Sequence, residues 1–300
     1  MKKKTYLFAL MAMVLTLGSC SDNENGIGGE TSKYITVSTS IGNMTRVATD
    51  EKGGQTFEEG DEISVYAWTG DATVAPETRE RVVNNAINKL TNGSWISNPQ
   101  MLWKNNRDKH YFIGVYPISA ISDLSAGEYT FDETKQVESD LLVAVNKDGL
   151  SYNVDEQQPV PLTFTHVMAK LVVNLTYKNQ WGGIPTVEKV VVGNAAKEAT
   201  INYLTKVVTP STTAKEDFSL PEITENTKYV SVIIPQENVK QLTIVIGGKN
   251  FVYDNGTPFK LESGKITTVN LEVGRDEIKL GDVKITNWED GSTFSGEALN

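Results

Sequence analysis

The chain has few of the residues that build metal centres and catalytic clusters. It contains one cysteine and two histidines in 300 residues. A zinc site needs several Cys and His ligands at short spacing, and this sequence offers no such group. Because Cys20 is the only cysteine, no intrachain disulfide can form. His110 and His166 each lie beside strand-like apolar residues, which favours structural roles for both.

Motifs that would indicate enzymatic chemistry are missing from the sequence. No G-x-S-x-G, H-E-x-x-H, Walker A or EF-hand pattern occurs. Paired carboxylates of the glycosidase type stay open, because 38 acidic residues allow many pairs and the required spacing is spatial. We predict no catalytic residue, no cofactor and no metal ligand. The chain is expected not to be an enzyme, with an envelope hydrolase as a distant alternative.

Positive charge and long apolar runs are also scarce. The formal net charge is −10, and no basic face is visible in the sequence. Nucleic-acid binding needs such a face, so no nucleic-acid partner is expected. The one apolar run near the N-terminus covers Tyr6–Thr16, whereas a helix that spans a bilayer needs about 20 residues.

The N-terminus instead has the layout of a lipoprotein signal peptide. Three lysines precede the apolar run, and Leu17-Gly18-Ser19 leads into Cys20. We predict that residues 1–19 are a signal peptide and that Cys20 carries lipid, palmitate included. The alternative is an ordinary signal peptide followed by an accidental cysteine. Residues 21–31 are polar and glycine-rich, which predicts a disordered tether to the outer membrane.

Beyond the tether, short runs of alternating β-branched or aromatic and polar residues predict strands. No series of long helices alternates with them, so we expect an all-β fold of two tandem β-sandwiches. One segment, Glu77–Leu90, has apolar residues at helical spacing and is predicted to be helical. Two prolines place a domain boundary near Pro159–His166. The predicted strands are Tyr34–Ile41, Glu62–Trp68, His110–Tyr116, Leu171–Thr176, Val187–Val192, Tyr229–Ile234, Leu242–Ile246, Thr267–Val273 and Asp282–Trp288.

The five tryptophans allow a second interpretation, since exposed indole rings could stack on sugars. Core packing is the favoured role, because β-sandwich cores use tryptophan routinely. The residues concerned are Trp68, Trp95, Trp103, Trp181 and Trp288.

The order of several short motifs resembles the fimbrillin family, the lipoprotein precursors of type V pili. The similarity spans nearly the whole mature chain. The motifs are Met44-Thr45-Arg46, the run Phe57–Val65, Trp103 before a strand that ends in Tyr116-Pro117, Asp140–Ala144, Leu162–Leu171, Leu261–Lys265 and Asn287–Gly291.

The resemblance implies two transthyretin-like (Greek-key) β-sandwiches. It divides the chain into a lipidated tether with a removable strand (20–46), an N-terminal sandwich (47–166) and a C-terminal sandwich (167–300). It implies no enzymatic activity and a place in a cell-surface fimbria at the outer membrane. The expected partners are further copies of the chain and other pilus subunits.

Family subunits lose their first strand to an Arg-directed protease, and the C-terminal strand of the next subunit fills the groove. On this chain, the resemblance implies cleavage between Arg46 and Val47, with Tyr34–Ile41 as the removable strand. Asp276–Asn300 is then the donor segment and is expected to contribute little to its own subunit. Its apolar residues are Ile278 and Leu280 on one face and Val283 and Ile285 on another, and this phase slip predicts a bulge or two short strands.

Two alternatives stay open. Both terminal segments could be ordinary strands of a closed monomer. A surface glycan-binding lipoprotein would share the lipid anchor, the tether and the tandem β-domains.

Overall fold

Alternation of apolar and polar residues makes most of the described chain β-structured. The computed structural model describes residues 33–42, 56–153 and 158–288, all within a unit that spans Ser32–Asn300. The helical turns in these residues are two short 3-10 segments, Thr78–Glu80 and Asn179–Trp181. The expected all-β class is therefore confirmed.

Nineteen strands occur in the described residues. The first eight are β1 Val37–Ile41, β2 Glu62–Thr69, β3 Val83–Thr91, β4 Ser94–Asn98, β5 His110–Tyr116, β6 Gly127–Thr130, β7 Leu142–Leu150 and β8 Val160–His166. The others are β9 Ala169–Tyr177, β10 Val187–Ala196, β11 Glu198–Asn202, β12 Val207–Pro210, β13 Lys215–Ser219, β14 Glu222–Thr224, β15 Lys228–Ile233, β16 Gln236–Ile246, β17 Lys249–Leu261, β18 Lys265–Val273 and β19 Ile278–Asn287.

The strands form four sheets. Seven strands from the first part of the chain make one sheet in the order β1-β8-β7-β5-β2-β3-β4. A five-stranded sheet has the order β14-β15-β9-β18-β19, and a four-stranded sheet has the order β13-β10-β16-β17. The fourth sheet, β12-β11-β6, takes β6 from before residue 166 and the other two strands from after it. The boundary between residues 166 and 167 stays a prediction.

Two apolar cores lie between these sheets. One contains Tyr66 and Trp68 from β2 together with most inward residues of β9 to β18. The other is smaller and lies on the opposite face of the seven-stranded sheet, where Ile35 and Val37 pack on Phe112 and Phe164. In β2 the two cores take alternate residues, which explains why six consecutive positions of that strand are buried.

The predicted helix over Glu77–Leu90 is wrong, because most of this segment is strand β3. Asn85 has a positive φ of 54° and is the extra residue of a β-bulge. Val65 pairs with Ala86 and Ala67 pairs with Val83, so two steps on β2 match three steps on β3. The bulge therefore places two inward residues three positions apart, which imitates helical spacing.

The two prolines near residue 160 do not prevent a strand. Pro161 lies inside β8, opposite Ser38 of β1. The pairing of β8 with β7 begins only at Phe164, so at Pro161 the strand has a neighbour on one side. A missing N–H is tolerated at such a position.

Candidate functional site

Strand β1 fills a slot between β8 and β4. It runs parallel to β8, in a register that pairs Val37 with Val160 and Ile41 with Phe164. Backbone bonds extend this contact at both ends, from Val160 N–H to the Thr36 carbonyl (2.8 Å) and from Gly42 N–H to the Phe164 carbonyl (2.8 Å). We call this position the β1 slot.

The second wall of the β1 slot comes from β4 and the residues after it. The indole Nε1–H of Trp95 donates to the Thr39 hydroxyl oxygen across 3.0 Å. Ile35 N–H donates to the Met101 carbonyl at 2.9 Å. Since β8 and β4 belong to opposite ends of the seven-stranded sheet, the sheet curls until β1 contacts both.

The floor of the β1 slot is apolar. Ile35 and Val37 are 2% and 6% exposed, and Thr39 and Ile41 also point inward, while Thr36, Ser38 and Ser40 face solvent. The phenyl ring of Phe164 crosses Gly114 so closely that a Cβ there would lie 2.6 Å from it. Burial of Ile35 and Val37 stabilises the strand by about 1.5–3 kcal/mol each. Ile35 and Val37 belong to the smaller core together with Met101, Phe112, Leu142, Ala144, Val160, Leu162 and Phe164.

The C-terminal strand β19 lies at the edge of the five-stranded sheet, antiparallel to β18. Its register shifts at Gly281, because Asp282 pairs with Asn270 while Leu280 pairs with Leu271. The predicted phase slip is thus one strand with a bulge.

The bulge changes which side chains share a face of β19. Each apolar residue of β19 is opposite a buried residue of β18, and directly paired residues point to the same side of an antiparallel sheet. All four side chains therefore point toward the core, rather than to two faces as the sequence indicated. The pairs are Ile278 with Val273, Leu280 with Leu271, Val283 with Val269 and Ile285 with Thr267.

The four side chains are covered unequally. Ile278 and Leu280 pack against the larger core, whereas Val283 and Ile285 keep 40% and 39% of their surface exposed. An edge strand with exposed apolar side chains presents an association site.

Trp288 follows β19 immediately and, unlike Val283 and Ile285, is buried. It is only 5% exposed, and its ring stacks flat on His166 with centroids 4.1 Å apart and planes at 7°. The ammonium of Lys170 lies 5.4 Å from the indole centroid. His166 Nδ1 lies 2.7 Å from a carboxylate oxygen of Asp140, which fixes the imidazole plane. Sequence reasoning identified His166 and Trp288 separately but gave no sign of their contact.

The ends of β1 and β19 meet at one cavity of about 360 Å³. Ile41 contributes to its wall from β1 and Trp288 from the C-terminal side. Burial lowers the pKa of Lys170 to about 8, and burial together with the Asp61 carboxylate raises the pKa of Tyr116 to about 12. The cavity is also lined by Thr56, Phe57, Glu58, Gln136, Val137, Asp140, Leu142, His166 and Val232.

The remaining histidine and tryptophan residues have structural contacts. His110 is fully buried, accepts the Lys104 N–H at Nε2 (3.1 Å) and has Nδ1 3.0 Å from the Asp108 carbonyl. Burial lowers the pKa of His110, which favours the neutral ring. The indole N–H groups of Trp68 and Trp181 donate to backbone carbonyls at 3.0 Å.

Three predicted site residues, Cys20, Arg46 and Val47, lie outside the described residues. Within the described ranges, no group of three His, Cys, Asp or Glu residues is placed to hold a metal ion. In the same part of the chain, no helix has the length and apolar character needed to cross a membrane.

Comparison with known proteins gives the family. The model of the fimbrillin-like family matches residues 45–288, so the chain belongs to the fimbrillin-like family. It is 25% identical to Fim1C of Bacteroides uniformis, a candidate fimbrium subunit, over 97% of both chains. The family comprises fimbrial and adhesion proteins and is not known for enzymatic activity.

Solved structures share the fold. A candidate cell adhesion protein of Bacteroides uniformis aligns over 86% of this chain and 100% of its own, with a TM-score of 0.64 and 18% identity. A second one, from Bacteroides ovatus, aligns over 85% of this chain and 98% of its own, with a TM-score of 0.62 and 18% identity.

Proposed function

We propose that this chain is a structural subunit of a cell-surface fimbria that assembles by strand exchange. Cleavage after Arg46 removes β1, and the segment Asp276–Asn300 of another copy fills the β1 slot. The observation that carries the proposal is the match between the two strands. One is a buried terminal strand in an apolar slot, and the other is an edge strand with four apolar side chains on one face.

The energetic balance favours exchange only into a preformed slot. Each apolar side chain buried in a neighbour contributes about 1.5–3 kcal/mol, so the gain is at most on the order of 6–12 kcal/mol if all four are buried and about half of that for Val283 and Ile285 alone. Each backbone hydrogen bond adds about 0.5–1.5 kcal/mol net. Ordering the backbone of the flexible donor segment costs about 1–2 kcal/mol per residue. If the residues that form the slot also had to become ordered, this cost would increase and the donor segment would bind weakly.

The same proposal includes export as a lipoprotein with lipid on Cys20 and anchoring in the outer membrane before maturation. It also includes two transthyretin-like sandwiches, residues 47–166 and 167–300. Separate sheets on the two sides of residue 166 support this arrangement, although β6 crosses to the second part and the larger core takes residues from both parts.

Glycan binding is the alternative function that an experiment must distinguish from fimbrial assembly. It was suggested by the tryptophans, but Trp68 and Trp288 are buried, and Trp95, Trp103 and Trp181 are partly buried and packed on other rings. Limited proteolysis with an Arg-specific protease, followed by electrophoresis of unheated samples in SDS, tests the proposal. A fimbrial subunit gives a ladder of SDS-resistant polymers. A monomer band alone, together with retardation in polysaccharide gels, would replace the proposal with glycan binding.

A further inference from the structure

Trp95 places a polar group in the wall of the largely apolar slot, directly beside Thr39. Its Nε1–H donates to the Thr39 side-chain oxygen at 3.0 Å, and Phe57 packs edge-on against its ring, with centroids 5.3 Å apart and planes at 83°. Trp95 is partly buried in strand β4, so this packing fixes the direction of the N–H bond. The donor points at one side-chain position of whichever strand fills the slot.

We infer that Trp95 selects the occupant of the β1 slot by requiring a hydrogen-bond acceptor at the position of Thr39. Backbone hydrogen bonds with β8 form with any side chains on the bound strand. Selection between strands therefore depends on the side chains that point into the slot. Ile35 and Val37 make the first two of these positions apolar. A valine at the third position would cover the indole N–H and leave it without a partner, and a buried donor without a partner is costly.

The C-terminal strand of this chain carries the required pattern. Val283 and Ile285 are apolar, and Asn287, the next residue of the same alternation, has an amide oxygen that can accept. This alternation starts after the bulge at Gly281, so it needs no irregularity. In a second copy, and resting on the proposed strand exchange, Val283, Ile285 and Asn287 take the places of Ile35, Val37 and Thr39, parallel to β8.

The other alternation fits less well. It would place Ile278 and Leu280 at the apolar positions and Asp282 opposite Trp95. A carboxylate loses more hydration free energy than an amide when it is buried.

Competition between peptides for the slot tests the inference. The full chain receives an engineered protease site within residues 47–55, is cleaved, and is incubated with a fluorescent peptide of residues 33–42. Competitors are the unlabelled 33–42 peptide, its Thr39→Val variant, a peptide of residues 277–290, which contains both alternations, and the Asn287→Leu and Asp282→Leu variants of that peptide. Each competition is repeated on the Trp95→Phe protein. If Trp95→Phe does not fold, 3-benzothienylalanine at position 95 removes the N–H and keeps the ring shape.

Thr39→Val and Asn287→Leu should each weaken competition about tenfold on the wild-type protein. Asp282→Leu should leave it unchanged, and without the indole N–H the tenfold differences should disappear. Equal competition by the unlabelled 33–42 peptide and its Thr39→Val variant on the wild-type protein overturns the inference. The inference is also overturned if Thr39→Val weakens competition on the Trp95→Phe protein as much as on the wild type. If Asp282→Leu weakens binding and Asn287→Leu does not, the assigned register is wrong. If the 277–290 peptide does not bind while Thr39→Val weakens competition tenfold, strand exchange by this segment fails and the selectivity of Trp95 stands.

Discussion

The indole of Trp288 and the imidazole of His166 lie flat on each other, with centroids 4.1 Å apart. His166 is the last residue of β8, the strand that also holds β1 by parallel pairing. One strand therefore contacts both of the segments that the proposed assembly displaces. Strand β1 and Trp288 are far apart in sequence, and both contact β8.

Trp288→Ala should destabilise the subunit, because the substitution removes a large buried side chain. This differs from the expectation from the sequence that Asp276–Asn300 contributes little to its own subunit. We expect the free energy of unfolding to fall by about 3 kcal/mol, at the low end for buried tryptophan because the residue follows an edge strand. Urea denaturation of the full chain measures the change. Lys284→Ala, an exposed neighbour on β19, is the matched control and should stay within about 0.5 kcal/mol of wild type. Equal stability of the two variants would show that the stacked indole contributes nothing to its own subunit.

Lys170 makes part of the stability depend on pH. The pKa of Lys170 in the folded chain is about 8, below the ordinary value of 10.5, because the side chain is buried and only 3% exposed. The nearby charge of Lys228 lowers this pKa further, and the carboxylate of Asp140 raises it. Below pH 8 both states carry the charge, and the cost of burying it is fully present. Between pH 8 and 10.5 the unfolded chain keeps the proton that the folded chain releases, so stability rises with pH.

The Lys170→Met variant isolates this effect. Its stability relative to wild type should be constant between about pH 6 and 7.5 and should then decrease by about 2–3 kcal/mol as the pH approaches about 10.5. Denaturation at a series of pH values measures both proteins under the same conditions. A difference that does not change across this range would contradict the lowered pKa.

Cys20→Ala should abolish lipid attachment, because the Cys20 thiol is the proposed acceptor. The precursor is then expected to stay uncleaved or to appear in the periplasm rather than in the membrane fraction. Metabolic labelling with an alkyne-bearing palmitate analogue and cell fractionation provide the measurement. Membrane anchoring and labelling that survive the substitution would refute the assignment of Cys20.

Arg46→Ala should block maturation, because the proposed protease cleaves only after arginine. Wild-type protein extracted from the surface should begin at Val47, as determined by N-terminal sequencing. Lys52→Ala is the control and should mature normally. Polymerised protein that still begins at Cys20 would contradict cleavage as the trigger.

The sequence predicted nine of the nineteen strands in the described residues and missed the other ten, among them β3 and β8. All nine predicted strands, among them Glu62–Trp68 and His110–Tyr116, overlap observed strands, and the largest difference is at β16, which begins six residues before the predicted Leu242. Strand β3 was taken for a helix because the bulge at Asn85 breaks its period of two. Strand β8 was hidden by Pro161, whose missing N–H is harmless next to a single neighbouring strand.

The candidate site was predictable only in its separate parts. Alternation in Tyr34–Ile41 identified a strand with one apolar face, and the phase slip at Gly281 indicated a bulge. The contact between Thr39 and Trp95 was not predictable, since it joins residues 56 positions apart. Local patterns carry no information about the curling of a sheet that brings its two ends to the same strand.

Disulfide trapping between copies tests strand exchange most directly. Every chain carries Cys20→Ala, one population adds Pro161→Cys and the other adds Thr286→Cys. Pro161 faces Ser38 of β1 in the intact chain, and Thr286 takes the place of Ser38 in the proposed register. The populations are mixed, cleaved with an Arg-specific protease, oxidised, and separated by electrophoresis without reductant. Strand exchange predicts a disulfide that joins the two populations after cleavage and none in the uncleaved mixture. SDS-resistant polymers without that disulfide, or the disulfide without cleavage, would contradict it.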